Sequence, residues 1–346
     1  MSEIKKKNEI LYLSFNKDKS CLSVGMQKGY RIYDLTKKDS LFFYERILGK
    51  GIGIIEMLEK SNILGLVGGG SEAFEIPSKL NIYDDKEGKN IALLTFKSDV
   101  LNLRLKKNVI LVICDHFIYL IDTINFKSVD AIALGYEKQK HIVFAFTLER
   151  NINKLAYNDT NEEKNELWIN SYGKDNNKDS FKLTTNYTNN NNISCMEFDK
   201  EGKLLAVGAK NYNYLILYST DDGMLICKCN IDHKSVNSIF ISFEENNDFL
   251  CLSLDVGEII IFNIKSANER LNELINNRKE TEEEIWSRLY LPEKKAICAF
   301  TGYEIGSDHI ICIGTKGNYY LVKYDTIQKN NLAVKINEKY ILKNGN

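Results

Sequence analysis

The chain lacks the features that mark several large functional classes. No stretch of its 346 residues approaches the ~20 consecutive apolar positions that cross a bilayer as a helix, so a helical membrane span is not expected. Net charge is also missing: 46 Lys+Arg face 47 Asp+Glu. That balance leaves no global field to gather nucleic acid or an anionic membrane, and any anion binding must be local. No C-x-x-C pair exists and only four histidines are present, which argues against a zinc centre. Gly68-Gly69-Gly70 lacks the G-K-[S/T] ending of a phosphate-binding loop, so it reads as a backbone turn. His116, His141, His233 and His309 sit in unrelated segments, with no nucleophile at recognisable spacing. The expectation is a protein that is not an enzyme, carries no cofactor and no metal, and binds no nucleic acid. The first residues, M-S-E-I-K-K-K-N-E-I, have a basic start without an apolar core, so a secretory signal is not expected either.

What is present is apolar and strand-like. Hydrophobic residues make up 44% of the chain, enough for a globular core. Short runs such as I-L-Y-L-S-F (10–15), V-I-L-V-I-C (109–114), L-L-A-V-G (204–208) and Y-Y-L-V-K-Y (319–324) are separated by turn residues. A turn–strand–turn–strand unit occupies 198–218, recurs at 243–262 and appears more loosely at 15–33. The first two copies start about 45 residues apart, near the period of WD40-type blades. The chain then has room for seven blades, and an all-β, seven-bladed β-propeller over 1–346 is the fold expected. The plentiful aromatics read as core packing. Six of the eight cysteines, Cys21, Cys114, Cys195, Cys251, Cys298 and Cys312, lie scattered in strand-like runs, as buried thiols in a reducing compartment do. Cys227 and Cys229, as C-K-C, share one face of a strand, which predicts packing and not ligation.

Two segments interrupt the pattern. Residues 266–285 read as a helical or disordered charged loop inserted in the sixth blade, with Leu271, Leu274 and Ile275 at helical spacing. The Asn-rich stretch around 186–192 has nothing to bury and reads as a loop. The N-x-S/T matches at Asn158, Asn186 and Asn192 are polar loop sequence on this reading.

Several stretches carry a resemblance. They are S-F-N-K-D-K-S-C-L-S-V-G (14–25), G-I-G-I-I-E-M-L-E-K-S-N-I-L-G-L-V-G-G-G (51–70), F-K-S-D-V-L-N-L-R-L (96–105), W-S-R-L-Y-L-P-E-K-K-A-I-C-A-F (286–300) and G-T-K-G-N-Y-Y-L-V-K-Y (314–324). Together they resemble the PROPPIN family, the phosphoinositide-binding β-propellers of autophagy. The resemblance covers nearly the whole chain and is weakest over 140–190. It implies binding of phosphatidylinositol 3-phosphate, or the 3,5-bisphosphate, through two pockets beside a Phe/Leu-Arg-Arg-Gly motif. It also implies a loop in the next blade that dips into the bilayer, and recruitment of lipid-transfer or conjugation machinery.

Placed on that motif, Cys229 takes the aromatic or Leu position, Asn230 and Ile231 replace the two arginines, and Asp232 replaces glycine. Arginine suits such a site because its planar fork donates two charge-assisted hydrogen bonds. Ile231 donates none from its side chain, and Asp232 adds a negative charge where the ligand is anionic. Two pocket turns depart as well: A-K-N-Y-N stands at 209–213, and D-V-G-E at 255–258 sets Glu258 where a hydroxyl is expected. Charge-assisted bonds contribute roughly 1.5–3 kcal/mol each, so losing several costs about 10²-fold in affinity or more. The inserted loop carries Glu280, Glu282, Glu283 and Glu284 with no aromatic before Trp286, and anionic headgroups repel it. Lys228, His233 and Lys234 are the candidates for a residual phosphate contact.

The turn at 15–20 matches the family, and the resemblance carries Asn16 and Asp18 over as candidate partner-docking residues, although Asp chemistry in a plain β-turn explains them equally. The resulting expectation is a monomeric, cytoplasmic scaffold of autophagy or organelle-membrane trafficking, peripheral on endosomal, autophagosomal or other organelle membranes. Its partners are autophagy lipid-transfer or conjugation proteins, and its phosphoinositide contact is weak or lost. The competing expectations are a genuine phosphoinositide-binding effector and a WD-type assembly platform outside autophagy.

Overall fold

A computed structural model describes residues 10–37, 41–134, 142–147, 153–159, 166–173, 178–183, 193–210, 213–232, 236–271, 281–301, 308–329 and 331–341. Within them the chain is all-β apart from one short helix, and forms the seven successive sheets of a seven-bladed β-propeller. It divides into two compact units, one built mainly from residues up to 138 and one from 139 onward.

The first unit holds three four-stranded sheets. They are β1–β4 (Ile10–Phe15, Cys21–Met26, Gly29–Asp34, Phe43–Ile47), β5–β8 (Ile52–Met57, Ile63–Gly68, Lys79–Asp84, Lys89–Thr95) and β9–β12 (Val100–Leu105, Val109–Cys114, Phe117–Asp122, Ser128–Ala133). Every pairing within these sheets is antiparallel. First strands lie side by side, β1 against β5 and β5 against β9. The G-I-G…G-G-G block closes the second sheet at one end: Gly69 N–H donates to Gly51 O at 3.1 Å, and a Cβ on Gly51 or Gly68 would strike the carbonyl oxygen of Gly69 or Glu75. Here glycine serves close backbone approach. Arg31, buried, donates to Glu45 at 2.8 Å and to Ile341 O at 3.2 Å, which ties the C-terminal segment of this unit to β3.

The second unit holds four sheets. They are β13–β16 (Phe144–Phe146, Lys154–Asp159, Glu166–Tyr172, Lys178–Leu183) and β17–β20 (Ile193–Phe198, Leu204–Ala209, Tyr214–Ser219, Leu225–Asn230), then β21–β23 with β25 (Ser238–Phe243, Phe249–Leu254, Glu258–Asn263, Ile285–Tyr290), and β26–β29 (Ala296–Thr301, His309–Gly314, Asn318–Lys323, Val334–Tyr340). β24 (Thr281–Glu283) joins the β17–β20 sheet as a fifth strand.

Strand burial explains why the repeat is readable. β2, β10, β18, β22 and β27 are buried along their whole length. Covered on both faces, they read as unbroken apolar runs, not as alternating ones. Outermost strands such as β4, β8 and β29 are mostly exposed and carry the polar residues. All eight cysteines are free and buried.

Over 266–285, expected as a helical or disordered charged loop, a short helix is present and a short strand was not foreseen. Lys265–Arg270 form helix α1 and Thr281–Glu283 form β24, while 272–280, with Leu274, Ile275 and Glu280, lie outside the described residues. Leu271 packs against the core of the fifth and sixth sheets.

Candidate functional site

The residues expected at the motif positions lie at the end of β20 and just beyond it. Cys227 and Cys229 turn into the core shared by the fifth and sixth sheets, their Sγ atoms 3.9 Å apart. Burial, and then the neighbouring Cys227 thiol, pushes the Cys229 pKa well up, so this side chain is a packing group and a poor nucleophile. Ile231 is fully buried in the same core, and its N–H donates to Asn213 O at 2.7 Å. Burying such a side chain contributes about 1.5–3 kcal/mol. Ile231 is therefore part of the hydrophobic interior.

Asp232 adopts φ +57°, the left-handed conformation that glycine enters freely and that Asp tolerates through local hydrogen bonding. Asn230 provides that bond: its Oδ1 accepts from Asp232 N–H at 2.9 Å. The backbone at Asp232 thus takes a conformation that glycine also favours.

The charges around this turn satisfy one another. Arg288 on β25 donates through Nη2 to Asp232 Oδ2 at 2.9 Å and through Nη1 to Glu258 Oε1 at 3.3 Å. Glu258 is fully buried, whereas Asp232 is 59% exposed and Arg288 27%. Solvent screening leaves the outer pair about 0–1 kcal/mol. The inner pair matters more, since a buried carboxylate that loses its cation is strongly destabilising. Two acidic residues thus hold an arginine at the place where arginines were expected to hold a phosphate. Nothing in the motif itself marked Arg288; it lies 56 positions beyond Asp232.

Of the candidates for a residual phosphate contact, Lys228 alone is among the described residues. Lys228 is half-buried on the face of β20 opposite Cys227 and Cys229, in register with Glu282 of β24. His233 and Lys234 lie outside the described residues, as does His141. Lys210, exposed, forms an isolated antiparallel backbone bridge with Asn237. In the 255–258 turn Asp255 accepts from Asn237 N–H at 3.0 Å, and Gly257 has φ +86°.

β24 runs parallel to β20, with Cys227, Lys228 and Cys229 opposite Thr281, Glu282 and Glu283. Ser266 of α1 donates to the Glu283 carboxylate and Arg270 to Thr281 Oγ1, so helix and strand form a clip along the strand that carries the motif. Glu284 is paired with Lys329 at 2.5 Å, and Trp286 Nε1–H donates to Asp325 O at 2.6 Å. Glu283 and Trp286 are thereby tied to neighbouring groups, while Glu282 and Glu284 stay exposed to solvent.

In the 15–20 turn Asn16 is buried. Its amide donates to Ser20 Oγ at 3.1 Å and Glu59 O at 3.3 Å, and its Oδ1 accepts from Cys21 N–H at 2.8 Å. Asp18 is exposed while accepting from Ser20 Oγ at 2.6 Å. Asn16 therefore shapes the turn, and Asp18 is the member of the pair presented to solvent.

Comparison with known proteins follows the same outline. The PROPPIN family model matches residues 10–303. Autophagy-related protein 18 of Komagataella pastoris is 24% identical over 288 residues, covering 74% of this chain and 52% of the relative. The chain thus spans about half of that relative, and the matches to two further relatives cover 24% and 37% of their lengths. Among solved structures, Kluyveromyces lactis Hsv2 superposes with a TM-score of 0.79 at 16% identity, covering 96% of this chain and 99% of that one. A second, titled as a complex of KlAtg21 with the coiled-coil of AgAtg16, gives 0.77 at 17% identity with the same coverage.

Proposed function

The chain belongs to the PROPPIN family, and from that premise we propose that it is a non-enzymatic scaffold of an autophagy-related pathway whose phosphoinositide grip has been lost or strongly weakened. One observation carries this reading: Asp232 and Glu258, at motif and pocket positions, are both engaged with Arg288. A phosphate approaching the turn meets Asp232 first and competes with two fixed carboxylates for the single guanidinium. Ile231, buried, supplies no second cation.

Protein contacts then replace the lipid contact, with partners from the lipid-transfer or conjugation machinery. The coiled-coil bound by the related Atg21 supports a partner of the conjugation kind. The exposed Asp18 is the residue of the 15–20 turn placed to take part. Among the described residues no helix is long and apolar enough to cross a membrane; the proposed location is cytoplasmic, peripheral on organelle membranes through the partner.

The test is co-sedimentation with vesicles that contain or omit phosphatidylinositol 3-phosphate. Equal pelleting from both is expected. Pelleting that depends on the lipid with micromolar affinity would overturn the scaffold reading in favour of a true effector, with Lys210 and Lys228 as the cations to substitute next.

A further inference from the structure

Beyond Glu258, the connection between the sixth and seventh sheets and one hairpin turn from each form a surface of the opposite character. Tyr290 ends β25 and Tyr340 ends β29, the outermost strands of their sheets, and they are 62% and 42% exposed. Val256, at the tip of the β22–β23 turn, is 48% exposed. Lys294, Lys295 and Lys316 are exposed on the turns between them.

Backbone hydrogen bonds fix these turns together. Leu291 N–H donates to Gly257 O at 2.8 Å, and Thr315 N–H donates to Lys295 O at 3.1 Å. Asn318, just past the Lys316 turn, pairs with Tyr340, and Glu258, just past Val256, pairs with Tyr290. The six side chains therefore project from one stapled junction.

The junction is basic because its acids are buried or already engaged. Glu293, between the tyrosine and the lysines in sequence, is buried and accepts from Lys316 N–H at 2.9 Å and from Asn318 Nδ2 at 2.6 Å. Asp255 is held by Asn237, with bonds of 3.0 and 2.5 Å. Glu338 on β29 pairs with Lys335 at 2.5 Å. No ion pair engages the amino groups of Lys294, Lys295 or Lys316 among the described residues.

We propose that this junction is a docking surface for an acidic protein segment that also carries apolar or aromatic side chains. Three flexible ammonium groups match carboxylates as point charges. The tyrosines offer rigid, amphipathic contact area at small entropic cost. A bilayer fits less well: insertion takes an apolar element about 5–10 Å into the headgroup boundary. Here the apolar groups end strands or sit on turns closed by Gly257 N–H to Leu254 O at 3.1 Å and Gly317 N–H to Gly314 O at 2.9 Å. The proposal rests on the scaffold reading and gives its partner a chemistry.

Fluorescence anisotropy tests it with a short labelled peptide repeating Asp-Glu-Phe, its Asn-Gln-Phe counterpart, and phosphatidylserine vesicles as a competing probe, all at low salt. The acidic peptide should bind and its amide counterpart should not. The K294E/K295E/K316E variant should weaken binding about tenfold or more, with an unchanged melting temperature. Y290S/Y340S should weaken it several-fold while keeping the salt dependence. Absence of binding by the native protein, undiminished binding by the triple-lysine variant, or capture of phosphatidylserine vesicles in place of the peptide would each overturn the proposal. No phosphoinositide enters this assay, so lipid-dependent pelleting in the vesicle experiment would remove the scaffold reading and leave the peptide result standing.

Discussion

Three adjacent residues at the end of β20 have three different fates. Asn230 is half-buried at a strand end and gives its oxygen to the turn, Ile231 is inside the core, and Asp232 holds a left-handed backbone while pairing outward. Reversing the motif is therefore not uniform in cost. Asn230→Arg places a cation at a site with access to water and should shift stability by about 1 kcal/mol or less. Ile231→Arg removes apolar burial and introduces a charge among Leu215, Cys229 and Val236, all in the same core. It should destabilise by about 3 kcal/mol or more. Urea unfolding of the two single variants measures the difference, and similar midpoints would show that Ile231 is not held in the interior. That Cys227 and Cys229 share one strand was legible in the sequence, because their alternation with Lys228 has a period of two. The depth of Ile231 was not, since an isoleucine beside a turn fits a core or a surface equally. Arg288 was harder still to foresee: a cation in the alternating run W-S-R-L-Y acquires its meaning only when β25 lies beside β23.

At the level of elements, pattern strength decided what could be foreseen. β18 and β22 announce themselves as continuous apolar runs, and their spacing sets the blade repeat. β24 consists of Thr281, Glu282 and Glu283, which no period-2 hydrophobic pattern would select. It is a strand because β20 presents an open edge and the Ser266–Glu283 and Arg270–Thr281 contacts hold the segment beside it. An edge covered in this way is protected from pairing with another chain. Proline at position 282 has no backbone N–H and fixes φ in the middle of that three-residue strand. We expect Glu282→Pro to release the clip, speed amide hydrogen exchange over Cys227–Cys229, and lower stability by about 1–2 kcal/mol. The four strands β17–β20 should persist, since their own pairings do not involve β24. Unchanged exchange in β20 would mean that the parallel pairing contributes nothing to the edge.

Across the whole chain, the thiols report whether the blade interiors stay closed. Cys21 and Cys114 belong to the first unit, and Cys195, Cys227, Cys229, Cys251, Cys298 and Cys312 to the second. Burial pushes the Cys114 and Cys195 pKa values up to about 12 and raises those of Cys21, Cys229 and Cys298. At pH 8 a thiol with a pKa of about 12 is thiolate only about once in ten thousand molecules, and the thiolate is the species that reacts. Raising the pH toward 9 increases that fraction tenfold per unit, yet each sulfur still lies beneath packed strands, so access and ionisation limit the reaction together. The native protein should consume less than about one equivalent of an aromatic disulfide reagent under conditions where a surface thiol reacts fully, and all eight cysteines should react in denaturant. Mass spectrometry of alkylated peptides along a urea series then resolves the two thiols of the first unit from the six of the second. Rapid native labelling at Cys114 or Cys251, each in a wholly buried second strand, would contradict the double-sided cover from which the repeat derives its apolar signature.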